Sequence, residues 1–227
     1  MIHAPLFGLG LGLDVHVRTK IRYNYSYIKS AAVKMADDVL EVSSYGDYHL
    51  NGVDTAKIDK SSMVGPFPLS YEAVSSKEHV FKIHISDEEM IQVRTFKDFV
   101  NVKFINASPD NFMDSVGLLG AYSKSKTIGA SIARDGETVL EDPVAFGMEW
   151  QVRPEEPQLF EAPGLPTYPQ QCRMPEPTTT SRRLGETIIS QEVAEAACSH
   201  WSKDLQAHCV YDVMATGDIE LAEAGAY

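Results

Sequence analysis

Through the first two-thirds of the chain, apolar side chains return at every second position, the period of an extended strand with one face turned inward. Leu13, Val15 and Val17 alternate with Asp14, His16 and Arg18. Phe81, Ile83 and Ile85 alternate with Lys82, His84 and Ser86, and Val100, Val102 and Phe104 repeat the pattern after Met90–Thr95. Polar turns separate the runs. Ala36-Asp37-Asp38 lies between Ala31–Met35 and Val39–Val42, Asp87-Glu88-Glu89 precedes Met90, and Asn51-Gly52 follows Tyr48-His49-Leu50. Both residues of an Asn-Gly pair tolerate positive φ, which makes it a hairpin signal. Short strands joined in this way predict a mostly β fold, an antiparallel β-sandwich.

The pattern then changes character. Pro154, Pro157, Pro163, Pro166, Pro169, Pro175 and Pro177 crowd one stretch, with Thr178-Thr179-Thr180 behind them. Proline fixes φ and removes a backbone donor, so neither a helix nor a central strand persists there. Beyond it Ser190 is a suitable N-cap, Gln191 and Glu192 suit a first helical turn, and Val193, Ala196, Ala197 and Trp201 fall on one stripe. Leu205, Val210 and Val213 mark a second helical segment; Thr216-Gly217-Asp218 ends it, and Asp218 can cap a last short helix. The expected organisation is a sandwich over residues 1–152, a Pro-rich linker over 153–185 and a small helical, cysteine-bearing tail over 186–227.

A net charge of −12 argues against nucleic acid, whose phosphates call for clustered Lys and Arg, and against an anionic membrane surface. No window approaches the roughly 18 consecutive apolar residues of a membrane span. The opening MIHAPLFGLGLGLDVHV lacks the basic region and cleavage site of a signal peptide. Gly8, Gly10 and Gly12 miss the dinucleotide-loop spacing, and no strand is expected ahead of them. No Ser sits in a GxSxG elbow. Of seven histidines, His16 and His84 fall on the polar faces of strands, where solvation is expected, and Asp37-Asp38 and Asp87-Glu88-Glu89 read as solvated turn tips. Tyr23, Tyr25 and Tyr27 share one face, as cross-strand packing would place them. No catalytic residue, metal ligand or cofactor is expected.

Residues 114–152 carry a resemblance to a known family. Gly117-Leu118-Leu119-Gly120-Ala121-Tyr122 stands where a von Willebrand factor type D domain has its Gly-Leu-Cys-Gly-Asn-Phe turn. Asp142-Pro143-Val144-Ala145-Phe146-Gly147-Met148-Glu149-Trp150 resembles the acidic-Pro-x-x-Phe-Gly-x-x-Trp segment that follows. The likeness covers most of residues 9–152 and extends to 186–227. There Cys209-Val210-Tyr211-Asp212-Val213-Met214-Ala215-Thr216-Gly217-Asp218 is similar to the family's Cys-x-Phe-Asp-Val-Cys-x-Thr-Gly-Asp, with Met214 in place of the second cysteine. The resemblance implies a non-enzymatic, extracellular or secreted module that contacts other extracellular proteins, or its own kind, in adhesion or in matrix or secreted-layer assembly. It also implies that the domain's opening strands precede Met1. Two rival readings remain: a lipid or ligand carrier, since such domains also occur in lipid-transfer proteins, and an enzyme with an unrecognised site.

The same comparison bears on particular positions. Ala121, Tyr122, Ser123 and Lys124 occupy the family's calcium loop, and Lys124 and Lys126 would repel a divalent cation, so the site reads as lost and Asp135-Gly136 as a plain turn. Leu119 replaces the turn cysteine and is expected in the core. Of three cysteines, Cys198 and Cys209 are close enough in sequence to bridge a helical hairpin, as the resemblance implies, which leaves Cys172 the odd one; three reduced thiols are the alternative. A Cys2His2 zinc set with His200 and His208 misses the usual templates. Asn24-Tyr25-Ser26 is a glycosylation sequon at Asn24, and Asn106-Ala107-Ser108 is a second, weakened by Pro109.

Overall fold

The computed structural model of the chain describes residues 1–6, 11–22, 25–54, 57–119, 122, 131–153, 155–160 and 189–224. Among these the strands are β1 (Ile2–Leu6), β2 (Leu11–Arg22), β3 (Tyr25–Met35), β4 (Asp38–Ser43), β5 (Tyr48–Leu50), β6 (Val53–Asp54), β7 (Met63–Val64), β8 (Phe67–Ala73), β9 (Glu78–His84), β10 (Met90–Phe96), β11 (Phe99–Ile105) and β12 (Val116–Gly117). The helices are α1 (Pro109–Phe112), α2 (Pro143–Glu149), α3 (Gln191–Ala197) and α4 (Lys203–Thr216), with 3-10 turns at Ser44–Gly46 and Ile219–Glu223.

Residues with positive φ make the reversals. Ala36 (55°) joins β3 to β4, Asn51 and Gly52 (54° and 69°) join β5 to β6, and Lys97 (51°) joins β10 to β11. The Asn51 side chain ties its turn to the start of β4: its oxygen accepts the Val39 N–H at 2.8 Å and its amide donates to Asp38 at 2.7 Å.

The strands form two antiparallel sheets, one ordered β12-β1-β2-β3-β4-β5-β6 and the other β11-β10-β9-β8-β7. Alternation gives each sheet one apolar face, and the two faces meet. Leu13, Val15, Ala31, Val33, Leu40 and Val42 of the larger sheet share one core with Leu69, Phe81, Ile83, Ile91 and Val93 of the smaller. Full burial of such a side chain stabilises the fold by about 1.5–3 kcal/mol. Tyr48 lies 5.4 Å from Phe81 and 5.8 Å from Tyr71, ring centre to ring centre, and so continues the core between the sheets. The molecule is a mostly β antiparallel sandwich.

β1 corrects one expectation: a strand does precede the glycines. Ile2 pairs with Val15 on β2 and with Gly117 on β12, and Ala4 is fully buried. Pro5 masks this strand in the sequence, because proline lacks a ladder donor. It is accommodated because β12 reaches only Ile2 and His3. Gly117 is required at the junction: its φ is 144°, and a Cβ there would lie 2.5 Å from the Met1 carbonyl oxygen and 2.6 Å from the Ile2 Cα.

The chain divides into two compact units, one within Met1–Lys20 and Tyr27–Met174 and the other within Ile21–Ser26 and Pro175–Tyr227. The sandwich core lies in the first and α3 and α4 in the second. Of the expected linker at 153–185, residues 154 and 161–185 lie outside the described residues. Leu159, just before them, is buried against Ala32 and Val39.

Candidate functional site

Residues 131–153 and 155–160, which include the Asp142–Trp150 run, form a layer over the outward face of the larger sheet. Alternation along β2 and β4 points Asp14, His16, Arg18, Val39 and Glu41 away from the main core. Ala32 and Val39 meet Leu159 and Phe160 there, and the Arg18 guanidinium sits 3.7 Å over the centre of the Phe160 ring. His16, Arg18 and Glu41 are all buried as a result. This corrects the expectation that His16 is solvated: a second layer covers a strand face that reads as polar.

Within this layer the Asp-Pro-x-x-Phe-Gly-x-x-Trp run has a definite geometry. Asp142 caps α2 by accepting the Val144 N–H at 2.9 Å, and Pro143 occupies the first turn, where its missing donor costs nothing. Trp150 follows the helix, buried, and its indole N–H donates to the Ile132 carbonyl at 2.9 Å. Arg134 is the hub. Its guanidinium donates to the carbonyls of Glu149 (2.6 Å) and Gln151 (2.7 Å), forms an ion pair with Glu156 and lies 5.5 Å from the Trp150 ring centre. Burial works against ionisation of Glu156, but hydrogen bonds from Arg134 and the Arg153 N–H outweigh it and hold the carboxyl below its ordinary range. Neither Arg134 nor Glu156 stands out in the sequence. Arg134 lies beyond the last readable strand, where no periodic pattern marks it.

The tail is organised by its cysteines. Ser190 accepts the Val193 N–H at 3.3 Å and starts α3, and Cys198 ends it. Cys198 and Cys209 form a disulfide with Cα atoms 5.9 Å apart, and both are buried. Gly217 (φ 70°) ends α4 in the left-handed conformation and donates its N–H to Val213. The Asp218 carboxylate then accepts the Glu220 N–H at 3.1 Å and caps the last turn. Trp201 donates to the Ala222 carbonyl at 2.6 Å across this small core of Ala194, Cys198, Cys209, Val213, Leu221 and Ala222. The buried stripe on α3 is therefore Ala194 and Cys198; Val193, expected on it, is exposed.

Other expected positions fall as follows. Asp135-Gly136 is a plain turn: Asp135 accepts the Glu137 and Thr138 N–H groups at 2.9 and 2.8 Å, and Gly136 has φ 77°. Glu89 is not a solvated tip. It is buried and accepts from the Ser108 N–H at 2.7 Å and from the Asn111 amide, tying the β9–β10 turn to α1. Leu119 is 63% exposed, so the turn residue that stands for the family's cysteine is not in the core. His84 exchanges a 2.8 Å hydrogen bond with Ser70, and Asn106 of the second sequon donates to the Glu88 carbonyl at 3.1 Å. The Asn24 sequon, Cys172, Tyr23 and the Lys124–Lys126 loop lie outside the described residues. Tyr27 packs edge-on against Phe99 at 5.0 Å. Bonded to each other, Cys198 and Cys209 offer no thiolate to a metal. Among the described residues no three His, Cys, Asp or Glu side chains are grouped to hold an ion, and no helix is long and apolar enough to cross a membrane.

Fold and site together define a class: an antiparallel β-sandwich with an arginine-centred layer on one face, and a disulfide-closed helical hairpin. No protein-family model and no curated protein matches the chain.

Proposed function

We propose that the chain is a non-enzymatic recognition module of the von Willebrand factor type D kind, acting outside the cell through contacts with other proteins in adhesion or in building a matrix or secreted layer. The observation that carries the reading is the Cys198–Cys209 disulfide, set in the stretch that resembles the family's cysteine-bearing tail. Structural disulfides persist in oxidising compartments and are rare in the cytosol. The layer over the larger sheet adds support. There the Phe-Gly-x-x-Trp segment and Arg134 are committed to holding a rigid face, as a scaffold for recognition requires.

The test is alkylation of the protein in its native source before lysis, followed by mass spectrometry of each cell fraction. The expected result is an oxidised Cys198–Cys209 peptide pair in the extracellular fraction. Free, alkylated Cys198 and Cys209 in the cytosolic fraction would refute the extracellular reading.

A further inference from the structure

Strand order leaves most of β8 without a neighbour on one side. β7 is two residues long and pairs only with Phe67 and Pro68, and Ser62 accepts the Leu69 N–H at 2.8 Å. Backbone groups alternate in direction along a strand. The N–H and C=O of Tyr71 and Ala73 therefore point the same way as the Leu69 N–H, away from β9, and among the described residues nothing is hydrogen-bonded to them there.

The remaining edges are shorter or more covered. β6 and β12 are two residues each. β11 turns the backbones of Val100, Val102 and Phe104 outward, but these residues are buried or half-buried. Its start is also held, because Lys20 donates to the Asp98 carbonyl at 2.8 Å and Tyr27 meets Phe99. Along β8 the outward backbone belongs to half-buried Tyr71 and exposed Ala73, the Ser70 and Glu72 side chains beside them are exposed, and Val74 follows at 50% exposure. An open ladder of this kind is a template for strand addition.

We propose that β8 is a docking edge that takes an extended segment of a partner protein as an added strand, with Lys or Arg opposite Glu72 and an aliphatic residue opposite Val74. The proposal rests on the recognition reading above and names the surface and the partner chemistry. Ser70 and Glu72 share the outward face of the sheet, and Val74, 50% exposed, lies one residue beyond the strand's end, so an incoming strand meets a carboxylate and, past the end of β8, an apolar side chain. Glu72 has no ion-pair partner among the described residues, and opposite charges on facing positions of neighbouring strands attract. A second copy of the chain does not fit. Antiparallel pairing of Tyr71–Ala73 with itself sets Glu72 against Glu72, and two chains of net charge −12 repel.

The test uses the full chain and two blocked hexapeptides, Thr-Val-Thr-Lys-Thr-Thr, which in antiparallel addition brings Val to Val74 when Lys faces Glu72, and the same peptide with Glu for Lys, at millimolar concentration. Amide hydrogen exchange is read at Tyr71 and Ala73. The Lys peptide is expected to slow exchange at both by about tenfold or more, and the Glu peptide to leave it unchanged. Ala73→Pro removes only an N–H that has no partner, so the fold is kept while protection of Tyr71 is lost. Glu72→Lys is expected to reverse the peptide preference. The proposal is overturned if neither peptide slows these amides, if Ala73→Pro responds like the unaltered chain, or if exchange slows with the chain's own concentration without peptide. Failure at β8 with an oxidised, extracellular protein removes this edge and leaves the recognition reading standing. Reduced cytosolic protein removes that reading whatever β8 does.

Discussion

His16 concentrates the consequences of the covering layer in one side chain. It is 4% exposed, its Nδ1 has no hydrogen-bond partner among the described residues, and its pKa falls from 6.5 to about 4. Burial is the main cause, with the Met1 ammonium and, less, Arg134 adding to it and Asp14 and Glu156 opposing. Between those values the unfolded chain binds a proton that the folded chain excludes. Stability therefore rises with pH across this window and is lost as the pH falls from about 6.5 towards 4, by about 2–3 kcal/mol for this group. Urea midpoints at the two ends of the window measure the loss, and His16→Gln should remove most of it; equal losses in both proteins would assign the dependence elsewhere. Glu89 acts at lower pH. Burial works against its ionisation, but the Ser108 and Asn111 hydrogen bonds prevail and keep the carboxyl below its ordinary range. Glu89→Ala strands those donors and is expected to lower unfolding free energy by about 1.5–3 kcal/mol, read by urea denaturation at neutral pH.

At the scale of elements, alternation and turn signals placed β2 to β5 and β9 to β11 because each buries one face, whereas β6, β7 and β8 went unread: the first two are two residues long and Pro68 interrupts the third. Alternation could not reveal that the opposite face of β2 is also covered, since what covers it comes from residues 131–153 and 155–160, distant in sequence and not periodic. Hence His16 and Arg18 read as polar surface, and the Arg134–Glu156 pair was not legible at all. The caps were legible because they depend on neighbours only: Ser190, Asp218 and Gly217 each act within three residues or four. Leu119 misled because its type suits a core, while the turn it occupies lies at the surface. The β12–β1 junction gives this scale its prediction. Gly117→Ala forces a side chain onto the Met1 and Ile2 backbone and should detach β12 from β1. Exchange of the Leu118 amide, which donates to Met1 at 3.2 Å, should accelerate while β9 and β10 stay protected; uniform protection in the variant would refute it.

Across the whole molecule, two compact units of unequal construction should differ in how they respond to reducing agent. The sandwich unit draws its stability from the core between the two sheets and contains neither bridged cysteine. The helical unit has a core of a few small side chains closed by one disulfide spanning 11 residues. Closing a loop of that length stabilises a fold by about 2–3 kcal/mol on chain-entropy grounds, a large share of what so small a unit can hold. Reduction, or paired Cys198→Ser and Cys209→Ser substitution, is therefore expected to lower the stability of α3 and α4 by about that amount and leave the sandwich unchanged. Calorimetry with and without reductant, with amide exchange to assign each transition, measures this. A single transition that shifts as a whole would mean that the units unfold together and that the disulfide supports the entire chain.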